Sequence, residues 1–217
     1  MHIEKMEIKM EVTAENRSYY YGFLSTVYLQ EPTREFIKSL KASNFLDDLN
    51  NSDLRFDKTI NNDVSDNHLN NLVLEYTRLF IGPGKHISPY ESVYRDNEDA
   101  LWSETTVEVK NFIESSGLEY SYNWSGLPDH IGVELEFMQR LTCHEKEAWT
   151  QEDKKQAIHC LEFEKRFVDE HLSQWVPTFC DKVKEETRVA FYGEIANLTR
   201  QFIDFDSKLI DKNLEIM

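Results

Sequence analysis

The chain has 217 residues with 24 Lys and Arg against 40 Asp and Glu, a formal net charge of −16 with the histidines neutral. That balance excludes a nucleic-acid backbone as the default partner, because phosphate binding draws on clustered cations that release counterions. Apolar residues at 40% and aromatics at 12% support an ordered globule rather than a disordered acidic tail, and the length allows one large domain or two small ones.

With only 7 Gly and 5 Pro, the chain has few tight turns and long helices are expected. Residues 14–30 place Tyr20, Phe23, Leu24, Val27 and Tyr28 at steps of three and four, the spacing of an amphipathic helix. After Pro32, Thr33 can cap a second helix carrying Phe36, Ile37, Leu40 and Leu49. Residues 50–67 are rich in Asn and Asp and read as a surface loop. Helix resumes with Leu72, Val73, Tyr76, Leu79 and Phe80 on one face, and stops at Gly82-Pro83-Gly84.

Eight of the twelve Gly and Pro residues lie between Gly82 and Gly132, so irregular backbone is concentrated mid-chain, where loops carry function. A short helix over 102–116 ends at Gly117, and 118–127 form an aromatic-rich connection. Pro128 suits the first turn of a helix holding Ile131, Leu135, Met138 and Leu141. Thr150 and Asp153 read as a capping box for a helix with Ile158, Leu161, Val168, Leu172 and Trp175. Beyond Pro177 a last long helix carries Phe179, Val183, Ala190, Phe191, Ile195, Leu198 and Phe202. No internal repeat and no period-two alternation stands out, so the expected architecture is all-α, a single-domain helical bundle.

Cys143, Cys160 and Cys180 fit neither a redox pair nor a zinc spacing and read as reduced, buried thiols. The amino terminus lacks the apolar run of a secretory signal and no stretch is long and apolar enough to span a membrane, which points to the cytoplasm. Phosphate-loop and dinucleotide motifs are missing: Gly84-Lys85 has Leu79 where a phosphate loop needs its first glycine. No internal histidine has a carboxylate three residues before it, so a carboxylate-bridged di-iron site is not indicated. Cys143 and His144 are helical neighbours, which diverge by about 100° and do not meet as nucleophile and base.

Asp129, His130 and Glu134 form the polar cluster with most chemical potential. In a helix starting near Pro128, Asp129 sits in the first turn and His130 reaches Glu134 one turn on, an arrangement equally served by a cap plus an ion pair. Between Pro89 and Met138 lie 11 acidic side chains and two basic ones, interleaved with eight aromatics. Such a stretch suits a partner that is cationic at one point and apolar at another, since charge steers the encounter and aromatic burial supplies affinity. A core of rings under a solvated acidic face gives the same composition.

Two segments, Glu75-Tyr76-Thr77-Arg78-Leu79-Phe80-Ile81-Gly82-Pro83-Gly84 and Pro89-Tyr90-Glu91-Ser92-Val93-Tyr94, resemble the signature of the TorD/DmsD family of molybdoenzyme assembly chaperones. So does Leu127-Pro128-Asp129-His130-Ile131-Gly132-Val133-Glu134-Leu135-Glu136-Phe137-Met138. The resemblance implies a TorD-like helical domain over 14–205, flanked by an extension over 1–13 and a tail over 206–217. It further implies a non-enzymatic cytoplasmic chaperone. Its partners would be the twin-arginine signal peptide and the apo-form of a molybdenum-cofactor oxidoreductase, whose export it delays during cofactor insertion.

In that picture Pro128, Asp129 and His130 belong to signal-peptide recognition. Asp129 and Glu91 would pair with arginine, His130 would hydrogen-bond, and Tyr76, Phe80 and Tyr90 would line the apolar wall, with Glu134 alongside. No cofactor is expected. The family raises guanine nucleotide (GTP) as a ligand, for which this chain has no phosphate loop, and it includes monomers and domain-swapped dimers. The competing readings are a nitrate-reductase-type assembly chaperone with a different client, and a small helical enzyme using His130 as acid/base with Glu134 orienting it.

Overall fold

The computed structural model describes the backbone of residues 2–42, 65–96, 103–118 and 126–217. Its helices are α1 (His2–Leu29), α2 (Arg34–Ala42), α3 (Asp66–Tyr76), α4 (Ser92–Arg95), α5 (Glu104–Ser115), α6 (Ile131–Thr150), α7 (Lys154–Phe167), α8 (Ser173–Glu186) and α9 (Ala190–Glu215). Wider π-turns extend α3 over Thr77–Ile81 and join α7 to α8 over Val168–Leu172. Among the described residues β pairing amounts to one isolated antiparallel bridge, Tyr90 with His130. The all-α architecture expected from the periodicity is the one observed.

The elements follow from local chemistry. Thr33 Oγ1 accepts from Phe36 N and starts α2, Ser65 does the same for α3 through His68 N, and Gly117 takes the positive φ of 75° that ends α5. Four boundaries differ from the sequence reading. α1 begins at His2 and runs through the segment read as an extension, with Met10 and Ala14 buried. Asp153, not Thr150, caps α7: its carboxylate accepts from Gln156 N at 3.0 Å, while Thr150 closes α6 by donating to Lys146 O.

Pro177 does not break the chain. It lies inside α8, one turn after the π-turn, and the break falls at Thr187, where the extended backbone is held by Thr187 N donating to Val183 O. The residues read as a C-terminal tail continue α9 and bury Asp206, Ile210 and Asn213. Leu49, most of the 50–67 loop and most of the 118–127 connection lie outside the described residues.

The most extensive helix pair is α1 against α6, with α7 also packed on α6 and α8 against α9. Rings dominate the centre: Trp175, Tyr21, Tyr28, Tyr192, Phe167, Phe179 and Phe202 are all fully buried. α1 and α6 approach closely at Gly132, whose carbonyl accepts from Ser25 Oγ at 2.8 Å. A Cβ there would stand 2.5 Å from Leu29 Cγ and 3.2 Å from Leu29 N. Gly132→Ala is therefore expected to cost about 1–3 kcal/mol by overpacking, measured by denaturant unfolding. A neutral result would mean that Leu29 can swing clear.

Candidate functional site

The three motif segments meet on one flank of the bundle. Glu91 N donates to Asp129 O at 2.9 Å and Ile131 N to Pro89 O at 2.8 Å, tying the Pro89–Tyr94 segment to the Leu127–Ile131 turn. α6 starts at Ile131, with His130 as its cap: His130 Nδ1 accepts from Gly132 N at 3.0 Å. Asp129 thus precedes the helix instead of entering its first turn, because its carboxylate serves another element, accepting from Ser92 N at 3.1 Å where α4 begins. Burial lowers the His130 pKa to about 4, so its ring is neutral and available as that acceptor.

Asp129, Glu91 and Glu134 are 0% exposed and His130 is 6% exposed. The expected display of the Asp129 and Glu91 carboxylates to an incoming arginine is therefore corrected by the geometry, which turns both inward. Glu91 already holds Arg95 Nη1 at 2.6 Å and His171 Nδ1 at 3.1 Å. Glu134 accepts from Trp175 Nε1 at 3.1 Å. Its Oε1 lies against the Glu91 carboxylate without a donor, and burial, then the Glu91 charge, raise its pKa well above the ordinary 4.5. A proton on Glu134 completes that contact.

Tyr76 and Phe80 are interior as well. Tyr76 OH donates to Tyr28 O at 2.8 Å, and Phe80 packs among Tyr28, Phe179 and Tyr192. Of the expected apolar wall, Tyr90 alone is half-exposed, edge-on to His130 at 5.1 Å. Pro128 is buried in the turn. The eight residues thus form the frame of this flank and not its open surface.

A concave surface lies beside that frame, a cleft of about 340 Å³ between the Lys85–Ser88 loop, α4 and the end of α8. Leu79, Ile87, Val93 and Tyr94 supply its apolar floor, and Glu185 and Glu186 stand on its rim with Lys85 and Lys182. Lys182 Nζ rests 4.4 Å over the Tyr94 ring. The glutamates were not singled out in the sequence, because their approach to the loop depends on α8 ending at Glu186.

Sequence reasoning also missed a second buried charge cluster. Arg17 on α1 donates from Nη1 to Glu145 at 2.6 Å, from Nε and Nη2 to Asp206, and from Nη2 to Glu164. Tyr21 OH donates to Asp206 and Trp149 Nε1 to Glu145. One cation faces three carboxylates; burial raises the Glu164 pKa well above its usual value, and Glu164 Oε1 has no hydrogen-bond partner. The cluster fastens α1 to α6, α7 and α9.

No group of three or more His, Cys, Asp or Glu suited to a metal ion occurs among the described residues. The thiols are unpaired; burial pushes Cys160 up to about 12 and raises Cys180 further, which leaves both unreactive. Cys143 is half-buried beside Ser18 Oγ and His144 is exposed. Among the described residues no helix is long and apolar enough to cross a membrane.

Residues 28–181 match the family model described as nitrate reductase delta subunit. The chain is 24% identical over 211 residues to the chaperone protein TorD of a Shewanella species, covering 90% of this chain and 94% of that one. It is 26% identical over 205 residues to the chaperone protein TorD of Vibrio vulnificus, covering 89% and 94%. In three dimensions it resembles a proposed redox enzyme maturation protein from Archaeoglobus fulgidus, with a TM-score of 0.51 and 19% identity over 87% of this chain and 92% of that one. At that identity the likeness bears on the fold alone.

Proposed function

The chain belongs to the nitrate reductase delta subunit family, the group of TorD-like chaperones, and on that premise we propose that it is a chaperone for the maturation of a molybdenum-cofactor oxidoreductase. It binds the twin-arginine signal peptide of that client before export and holds it back while cofactor is inserted. The observation that supports this reading is the apolar-floored cleft, with Glu185 and Glu186 among Arg78, Lys85 and Lys182 around it, beside the turn where the Pro89–Tyr94 and Leu127–Ile131 segments are bound together. Such a cleft offers burial to the apolar stretch of the leader and carboxylates to its arginines.

In this reading Asp129 and His130 position the turn, and Tyr90 carries the half-exposed ring at its edge. Titration calorimetry with the twin-arginine leaders of the host's own molybdoenzymes tests it. Asp129→Ala/His130→Ala is expected to weaken binding at least about tenfold through loss of the turn. Affinity should also fall as salt rises from about 0.1 to 1 M, where the screening length shortens from about 10 to 3 Å. Unchanged affinity in the double variant, with the fold intact, would remove these residues from the site.

A nitrate-reductase-type client is the second reading, favoured by the description of the matching family model. Pull-down from the native host, with identification of the bound oxidoreductase, separates the two.

A further inference from the structure

We infer that the Pro89–Tyr94 segment is a proton-operated latch: a proton shared between the Glu91 and Glu134 carboxyls holds it shut, and loss of that proton lifts its leading end off the start of α6. The inference goes beyond the signal-peptide reading and does not depend on it.

The geometry of the junction is that of a closure over buried charge. The segment is tied to the turn before α6 by Glu91 N donating to Asp129 O at 2.9 Å, Ile131 N to Pro89 O at 2.8 Å and Ser92 N to Asp129 Oδ2 at 3.1 Å. Beneath these bonds lie the carboxyl groups of Glu91, Asp129 and Glu134, each 0% exposed. Asp129 Oδ1, Glu134 Oε1 and Ser92 Oγ have no hydrogen-bond partner there. Tyr94 packs against Trp175 and Phe179 and pins the far end, so the end from Pro89 to Ser92 is the part that can lift.

The charges that face the two glutamates come from every element around them. Arg95 of α4 holds Glu91 at 2.6 Å and His171 of the π-turn holds it at 3.1 Å. Asp129 of the turn bears on Glu134, and Trp175 Nε1 from α8 donates to it at 3.1 Å. Further out, Glu108 of α5 and Asp96 bear on Arg95, and Tyr90 faces Asp129. A buried carboxyl without its own cation stays in the interior by taking up a proton, and that proton supplies the donor which the contact between Glu91 and Glu134 needs. The Glu134 pKa, raised by burial and then by Glu91, agrees with that placement.

Without the proton, two like charges meet where water does not screen them, and one must leave. Glu134 stands in the first turn of the 20-residue α6, which packs along α1, and stays. Glu91 belongs to a short segment, and Arg95 travels with it, so its counter-charge is kept when it enters water. Lifting also carries the Tyr90 ring away from His130 and uncovers the Asp129 carboxylate. The closed form binds one proton more than the open form. Closure is therefore complete below about 4.5 and weakens as pH rises toward the raised Glu134 value.

Amide hydrogen exchange of the full-length chain, followed by NMR from about pH 5.5 to 8.5, reads the latch at the Glu91 and Ile131 amides. After correction for intrinsic exchange at each pH, their protection is expected to fall together by up to about tenfold per pH unit. Ile87 N, which donates to Leu79 O in the adjoining loop, should keep a flat profile. In Glu134→Gln, whose amide donates to Glu91 at every pH, the fall is expected to vanish, and circular dichroism verifies that the variant folds. A flat wild-type profile at Glu91 and Ile131, or exchange there no faster than at amides in the middle of α9, overturns the latch, and neither reading needs the variant. An undiminished slope in folded Glu134→Gln overturns it as well.

Discussion

Arg17→Met is expected to lower the unfolding free energy by about 3 to 5 kcal/mol. The substitution keeps the length of the side chain but leaves Asp206, Glu145 and Glu164 buried without their cation. A buried carboxylate without a counter-charge costs more than the ion pair was worth, because its hydration was surrendered on folding. Burial already raises the Glu145 and Glu164 pKa values, and removing Arg17 raises them further. A raised carboxyl contributes stability that is present below its unfolded value near 4.5 and is lost as pH rises through the folded value. The deficit of the variant should therefore narrow toward pH 5 and widen above neutrality. Urea unfolding across that range is the measurement, and a deficit under about 1 kcal/mol at pH 8 would mean that water reaches the cluster.

The second large effect is a gain. Glu134→Gln should leave stability near pH 5 within about 1 kcal/mol of wild type and make the protein more stable as pH rises. Glutamine keeps the acceptor for Trp175 Nε1 and places an amide N–H toward Glu91, as a protonated wild-type carboxyl would place its O–H. The folded pKa of Glu134 is raised, so its share of stability is complete below 4.5 and declines with rising pH, at up to about 1.4 kcal/mol per pH unit for one proton. The amide has no proton to lose, and the variant escapes that decline. Parallel pH profiles for the two proteins would refute the protonated Glu134. The raised Glu145 and Glu164 give both proteins a common slope, so the difference between profiles isolates position 134.

The helices were legible because the chain buries one stripe of each. Of the face read as Leu72, Val73, Tyr76, Leu79 and Phe80, all but the half-buried Val73 are buried. Pro177 misled because a proline early in a helix looks, in sequence, like the end of one, and only the preceding π-turn shows that the helix is continuous. The family motifs located the right flank but not the side on which its side chains face. A short loop and a helix start can be read as open or closed, and the Tyr90 to His130 bridge closes them.

Arg17 was findable. It stands in the buried stripe of Met10, Ala14, Tyr21, Leu24 and Tyr28, every step three or four residues, at a position where an apolar side chain belongs. Glu134, Glu145, Glu164 and Asp206 likewise interrupt the stripes of their own helices. A charged residue on a core stripe announces a buried partner; which partner it is depends on contacts 128, 147 and 189 residues away, which no local pattern encodes.

The π-turn over Val168–Leu172 amounts to one residue more than a regular helix would spend there. Deleting that residue would restore the regular winding with α7 and α8 still nearly in register, because a wide turn absorbs its extra residue locally, but it would re-aim the side chains and carbonyls of the turn itself. His171 would then swing off Glu91, and the Glu170 carbonyl would no longer be offered to Arg95 Nη1, which it receives at 3.1 Å. In the evolutionary record of this lineage, a one-residue gap at this turn should therefore travel with a replacement at the position of Glu91, the two changes inherited as a pair.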